Sequence, residues 1–345
     1  MASPQRPLHH RFHSDSPDRG FTIVELLVTM AVIAALMGLL MVGLQAARRT
    51  SQKTTQMSDL KQLHTAWSMY ASSNNDAFLP GYLEDGVQEA WRVTYRSKDA
   101  VEVPQQFART YPWRLMSYLD HEYKPLFGYL DKGDDSYFNG ADRDGNPNTE
   151  AFKTVGGQPA FGYNAYYLGG WWELVSGKPK LKFGNSRWNA QDGTEVKGLI
   201  VATRVGSVHA ASSMIAFCAS TFRQPGFYKE SSEFTTGAAW VVPSVLADES
   251  IWSPSDGVSF EGMTSSTGVF SFLAQAFVPV QSASAGIQVN VAQAVPHRRF
   301  GSQVAVVHVD GSTMAAGIGE LLDQRRWMNP AMNVKSATTF THTPD

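Results

Sequence analysis

Residues 21–44, FTIVELLVTMAVIAALMGLLMVGL, form a run of 24 residues that carries one charge, Glu25, near its start. Such a run spans a hydrocarbon core of about 30 Å when helical, at ~1.5 Å of rise per residue. A carboxylate inside that layer is costly, so an acid there marks a functional site and needs a partner. A polar leader, MASPQRPLHHRFHSDSPDRG, precedes the run and ends on Gly20.

The order of these parts differs from that of an ordinary secretory signal, in which the small residues at the cut follow the apolar core. Here the small residue, Gly20, comes first. Cleavage between Gly20 and Phe21 would remove the leader and keep the helix. The new amine on Phe21 would lie four residues from Glu25, a neighbouring position on a helix. Amine and carboxylate can satisfy each other within one chain. Between chains the same contact does more: Glu25 of an incoming subunit, paired with the Phe21 amine of the subunit below, fixes axial register in a bundle.

The segment Gly20-Phe21-Thr22-Ile23-Val24-Glu25-Leu26-Leu27-Val28 resembles the class III leader of type IV pilins and type II secretion pseudopilins. The resemblance implies cleavage after Gly20 by an aspartic prepilin peptidase, N-methylation of Phe21, and Glu25 as the assembly carboxylate. It also implies partners: other pilin or pseudopilin subunits in a homo- or hetero-filament, an inner-membrane assembly platform, and the lipid bilayer. One family feature is missing. Where many members carry a helix-breaking Pro, this chain has Val42, which leaves Gly38 and Gly43 as the nearby breakers. The competing reading of the segment is a plain membrane anchor with an incidental Glu.

The chain has 345 residues, net charge −2 and 43% hydrophobic residues, which excludes a disordered polymer. Near-neutral charge argues against nucleic acid as the main partner. Cys218 is the single cysteine, so no internal disulfide forms; its apolar setting, residues 214–219, reads as a buried strand with a packed thiol. Charge leaves topology open, because Arg6, Arg11 and Arg19 precede the span while Arg48, Arg49, Lys53 and Lys61 follow it. The family resemblance, rather than the charge count, places the C-terminal part outside the inner membrane.

From Gln45 to about Asn75 there is no Pro or Gly, and Met57, Leu60, Leu63, Trp67, Tyr70 and Ala71 recur at helical spacing. The helix is therefore predicted to continue past the span, with core packing as the role of Trp67 and Tyr70. Asn74-Asn75-Asp76 and Pro80-Gly81 end it. Further on, residues 113–119 and 126–130 read as short helices and residues 196–201 and 213–219 as strands. Residues 303–309 and 312–316 read as a hairpin around a two-residue Asp310-Gly311 turn. Residues 131–157 read as a polar, Gly-rich loop, and 161–172 as an aromatic, Gly-punctuated segment. The predicted fold class is α+β: a long N-terminal helix packed on a loop-rich antiparallel β-sheet head, pilin-like. The predicted organisation is leader 1–20, transmembrane helix 21–44, amphipathic extension 45–75 and a periplasmic or extracellular head 76–345.

Several head segments resemble a large prepilin-like group abundant in planctomycete and verrucomicrobial genomes. The group's C-terminal domain is named for a His separated by nine residues from Asp-Gly. The matching pieces are Leu60-Lys61-Gln62-Leu63 through Tyr70-Ala71, residues 113–119, Phe161-Gly162-Tyr163-Asn164, residues 213–219 and residues 304–311. The signature itself departs, since Phe300 stands where the His should be and the nearest His is His297.

Asp142, Asp144, Asn146, Asn148 and Glu150 place oxygen side chains at alternate positions, as a calcium loop does, with Asp134 and Asp135 as further oxygens. Gly145 falls at the fourth position rather than the sixth, so the stretch is no EF-hand loop. A calcium site and a solvated Asx-turn loop both remain open; the resemblance adds that major pseudopilins often carry a calcium-stabilised loop. Trp171 and Trp172 offer either a sugar-stacking platform or packing. His121-Glu122 lacks the second His of a zincin and reads as a surface pair. His308 and Asp310, with His297, form either a site or a hairpin-end polar pair. No hydrolase elbow, P-loop or dinucleotide fingerprint appears, so no enzymatic activity is predicted.

The sequence thus predicts a structural subunit of a type IV pilus or type II secretion pseudopilus, anchored in the inner membrane with its head in the periplasm. The alternative is a minor pilin or exported binding module, carbohydrate-binding at a filament tip.

Overall fold

A computed structural model describes residues 21–127, 138, 140–141, 145–165, 167–182, 187–190, 195–196, 201–223, 239, 241, 250–251, 270–271, 292–295, 303–321, 324–329 and 340–343. The chain divides into two compact units, residues 1–49 and 50–345. Helix α1 (Ile23–Ser73) contributes to both. It stops where the sequence runs out of helix-compatible conformations. Asn75 and Asp76 both adopt left-handed backbone, with φ of 54° and 58°. The Asp76 amide turns back to the Ala71 carbonyl at 2.9 Å, and Asn74 Nδ2 donates to the Tyr70 carbonyl at 2.7 Å. These bonds satisfy carbonyls that a helix end leaves open.

In the second unit the remaining helices are α2 (Asp85–Trp91), α3 (Tyr111–Leu115), α4 (Lys124–Phe127), α5 (Thr149–Gly157) and α6 (Ile318–Leu321). The strands are β1 (Tyr82–Leu83), β2 (Tyr95–Arg96), β3 (Glu102–Val103), β4 (Phe161–Tyr163), β5 (Trp171–Val175), β6 (Lys178–Lys182), β7 (Arg187–Ala190), β8 (Glu195–Val196), β9 (Ile215–Ala219), β10 (Thr221–Arg223), β11 (Ser250–Ile251), β12 (Phe270–Ser271), β13 (Ala292–Val295), β14 (Gln303–His308), β15 (Thr313–Gly317) and β16 (Phe340–Thr343). The central sheet runs β15-β14-β9-β4, antiparallel throughout. A second sheet joins the β5–β6 hairpin to β1 by a parallel pairing. Three further sheets are described, in the orders β10-β13-β12, β11-β16-β7-β8 and β2-β3. The fold is α+β, a long N-terminal apolar helix plus largely antiparallel sheets, as the sequence predicts.

Every residue of β9 is buried, Cys218 included, which explains its unbroken apolar run. Trp67 fastens the second half of α1 to the central sheet. Its indole stacks on Phe78 with ring centroids 4.8 Å apart and meets Tyr163 and Phe217 edge-on, each at 6.1 Å. Its Nε1 donates to the Tyr163 hydroxyl at 3.2 Å, and that hydroxyl donates to the Leu79 carbonyl at 3.1 Å, so the buried polar atoms are paired. Three basic side chains of α1 add a polar seam: Lys53 Nζ to Gln303 Oε1 at 3.1 Å, Lys61 Nζ to the Gly311 carbonyl at 2.8 Å, and His64 Nε2 with the Val309 carbonyl at 2.9 Å.

Several local expectations need correction. The β14–β15 connection is a three-residue loop, not a two-residue turn. Gly311 N donates to the His308 carbonyl and His308 N to the Ser312 carbonyl, each at 2.9 Å, with Gly311 at φ +83°. That is a turn closed by a left-handed bulge residue. The Val309 amide is drawn instead to the Met214 carbonyl at 2.9 Å, which takes Val309 out of the hairpin ladder. The polar, Gly-rich stretch 131–157 ends in helix α5, capped by Asn148. The helix expected over 113–119 starts earlier, at Tyr111, and tightens into a 3₁₀ turn over Met116–Tyr118. The helix expected over 126–130 is α4; residues 128–130 lie outside the described residues.

Candidate functional site

Phe21 and Thr22 precede the first helical residue, Ile23. Thr22 and Glu25 form a reciprocal cap. The Thr22 amide and its Oγ1 each donate to Glu25 Oε2 at 2.9 Å, and the Glu25 amide donates to Thr22 Oγ1 at 3.2 Å. This is the capping box of a Ser/Thr-x-x-Glu start, and it satisfies donors that the first helical turn leaves open. The Thr-x-x-Glu pattern is itself a sequence signal for this cap, one that the reading of Glu25 as an assembly carboxylate passes over. With Gly20 attached, the nitrogen of Phe21 is an amide, so the carboxylate turns to its own cap. Gly20 itself lies outside the described residues.

The described large apolar side chains from Phe21 to Leu44 are 50–82% exposed, so no described residue covers them. The helix is long and apolar enough to cross a membrane. Glu25 is the only charged residue in this stretch.

The other candidates fall into place one at a time. Asp142 and Asp144, like Asp134 and Asp135, lie outside the described residues. Asn148 Oδ1 accepts the Ala151 amide at 3.1 Å as the cap of α5, and Glu150 sits in that helix's first turn, where an acid suits the helix dipole. Asn146 lies beside Gly145, whose φ is +82°. Among the described residues no group of three His, Cys, Asp or Glu side chains converges as a metal site would require. Trp171 and Trp172 are adjacent in β5 and so face opposite sides of the hairpin. Trp171 meets Tyr82 edge-on at 5.1 Å, while Trp172 meets Trp91 at 5.1 Å and donates its Nε1 to the Gly169 carbonyl at 2.9 Å. They do not form one platform.

His121 is no zincin residue. Asp120 and His121 take left-handed φ of 53° and 55°, closing a turn rather than entering a helix. His308 and Asp310 are joined through Ser312: its Oγ donates to Asp310 Oδ1 at 2.6 Å and lies 3.0 Å from His308 Nδ1. The serine hydroxyl thus donates its hydrogen bond to the carboxylate and not to the imidazole, so Ser312 and His308 are not arranged as a nucleophile and its histidine base. Burial keeps the His308 imidazole below its usual range, and Arg326 acts in the same direction. His297 lies outside the described residues.

Sequence reasoning missed Asp59, Gln56 and Arg114, buried polar residues on otherwise apolar faces. An apolar stripe read by spacing gives no warning of the polar groups within it.

The family model of the prokaryotic N-terminal methylation motif matches residues 15–41. The match is to the class III prepilin leader found in type IV pilins and pseudopilins, and it supports a precursor of that type. Proteins with this motif are structural rather than catalytic. No curated protein and no solved structure matches the chain.

Proposed function

We propose that this chain is processed between Gly20 and Phe21, methylated on Phe21, and assembled through α1 as a structural subunit of a type IV pilus or type II secretion pseudopilus. The observation that carries this reading is a lone carboxylate, Glu25, capped only by Thr22 at the head of a helix whose apolar side chains are uncovered. In lipid those side chains are solvated by acyl chains. Once extracted, each must be covered by the helices of other copies, and burying one Leu, Ile, Val, Phe or Met contributes about 1.5–3 kcal/mol. Such packing tolerates many axial offsets. A charge in an apolar medium does not, because every offset except the one that pairs it leaves it unpaired. Removal of the leader creates the Phe21 amine, and Glu25 then exchanges its intrachain cap for the amine of a neighbouring subunit.

The head would sit in the periplasm before assembly. Prepilin peptidase, fellow subunits and an inner-membrane platform are the partners this reading requires. The chain would have no catalytic role.

The test combines N-terminal mass spectrometry of protein from native membranes with an assembly assay on Glu25→Ala. A methylated Phe21 terminus is expected in the wild type. The variant should be processed and inserted but fail to enter filaments. An intact Met1 terminus, or normal filaments from Glu25→Ala, would defeat the proposal.

A further inference from the structure

Arg109 and Arg114, on neighbouring turns of one segment, are treated in opposite ways. Arg109 has a carboxylate partner: Nε to Asp85 Oδ1 at 2.7 Å and Nη2 to Oδ2 at 2.5 Å. Arg114, on α3, is 2% exposed and has none among the described residues. Its Nε donates to the Thr110 carbonyl at 2.9 Å, and its Nη2 to the carbonyls of Gly81 and Arg109, both at 3.2 Å. Its Nη1 is buried with no hydrogen-bond partner. Carbonyl dipoles orient the guanidinium but do not neutralise it, and a buried charge without a counter-charge is strongly destabilising.

Strand β2, which carries Tyr95, packs against α3, and Tyr95, Tyr70 and Tyr163 are near enough to the guanidinium to act on it electrostatically. Tyr118 stands edge-on to Tyr70 at 5.7 Å and interacts with Tyr95 as well. Tyr163 is committed, with its hydroxyl bonded to Leu79 and Trp67. Tyr70, Tyr95 and Tyr118 are half-buried, so these three rings reach the surface while Arg114 lies beneath it. Burial pushes the Tyr95 phenol up to about 12 and raises Tyr70, so both stay protonated donors at neutral pH. The cluster therefore gathers a fixed cation and hydroxyl donors with no acid among them. A planar guanidinium supplemented by O–H donors is the chemistry of an oxyanion receptor.

We propose that Arg114, Tyr70, Tyr95 and Tyr118 form a binding site for a small oxyanion, a carboxylate or a phosphate, that supplies the missing counter-charge. This goes beyond the filament role and does not depend on it.

The test uses the full-length chain in detergent micelles, titrated separately with sodium phosphate and sodium acetate at ionic strength held constant with chloride. Wild type should give a Tm that climbs and saturates with at least one of the two, as binding to the folded state requires. Saturation by phosphate alone, acetate alone, or both identifies the oxyanion accepted. Equilibrium dialysis with that oxyanion, radiolabelled, should find a single site. The triple variant Y70F/Y95F/Y118F keeps the aromatic bodies and Arg114, and its affinity should fall about tenfold or more, because hydrogen bonds to a charged group are lost. Arg114→Gln should abolish saturation; should it fail to fold, the triple variant carries the decision. Absence of a saturable shift with either anion, or unchanged affinity in the triple variant, overturns the site.

Discussion

Asp59 lies on the buried side of α1, and its Oδ2 has no hydrogen-bond partner among the described residues, nor has Oε1 of Gln56, three residues away. Burial pushes the Asp59 carboxyl up to about 6, against the pull of Lys124. Its folded value thus exceeds the ~3.9 of an unfolded Asp. Its contribution is fully present below pH 4 and is lost as pH rises through about 6. At pH 7 the ionised carboxylate weakens the fold by at most about 3 kcal/mol before solvent screening, since each tenfold change in proton affinity is worth about 1.36 kcal/mol. Asp59→Asn should therefore raise Tm at pH 7, leave it nearly unchanged at pH 4, and flatten the pH profile between them. Thermal melts of the full chain across that range check this, and parallel profiles for variant and wild type would refute it. Glu25, an acid on the same helix, was legible from the sequence because it interrupts an apolar run. Asp59 was not, because it stands between polar and apolar neighbours in a region where acids are ordinary.

The elements divide by how local their signals are. Helix α5 rests on a cap three residues after Gly145 and four before the buried Phe152; Asn148→Ala should cost about 1 kcal/mol, read as a lowered denaturant midpoint. A chelator that lowers stability as much as this substitution would instead favour the calcium reading of the loop. The two hairpins offer a matched pair. Gly177 follows Ser176 at the β5–β6 turn, both with positive φ, and a Cβ on Gly177 would meet nothing within 4 Å. At Gly311 a Cβ would stand 2.8 Å from two His64 ring atoms, and that ring is held by Val309. Gly177→Ala should cost roughly 1 kcal/mol, the left-handed penalty alone. Gly311→Ala should cost more in the same denaturation assay, and equal losses would show that the α1–hairpin contact is soft. The sequence revealed α1, β9, β14 and β15, whose apolar patterns are long or unbroken. It concealed α5, β4 and β5: α5 is nine residues whose start looks like a metal loop, and β5, WWELV, lacks alternation. The bulged β14–β15 loop was also hidden, since the amide of Val309 is claimed by Met214 from a distant part of the chain.

For the whole molecule, burial is divided unevenly along the chain. The hydrophobic core cluster begins at Leu60, and none of its described members comes from residues 1–49. The described core thus lies wholly in the second unit, while the exposed apolar side chains of the N-terminal stretch account for a demand for lipid or for other subunits. This division was readable from composition, because an all-apolar run and a one-sided stripe require different surroundings. The chemistry of the head was less readable: Arg114 and its tyrosines come together from α1, β2, α3 and the 3₁₀ turn after it, with no shared spacing in the chain. Removing residues 1–49 should leave a monomer, starting at Thr50, that retains Trp67 and all of the described core. It should partition into the aqueous fraction and unfold in one cooperative transition by far-UV and near-UV circular dichroism. Near-UV signals of Trp67 and its aromatic neighbours should match those of the full chain in detergent, because those ring contacts lie wholly within the retained residues. A truncated chain that melts without cooperativity, or aggregates on release from the membrane, would mean that the second unit depends on the N-terminal helix for more than anchorage.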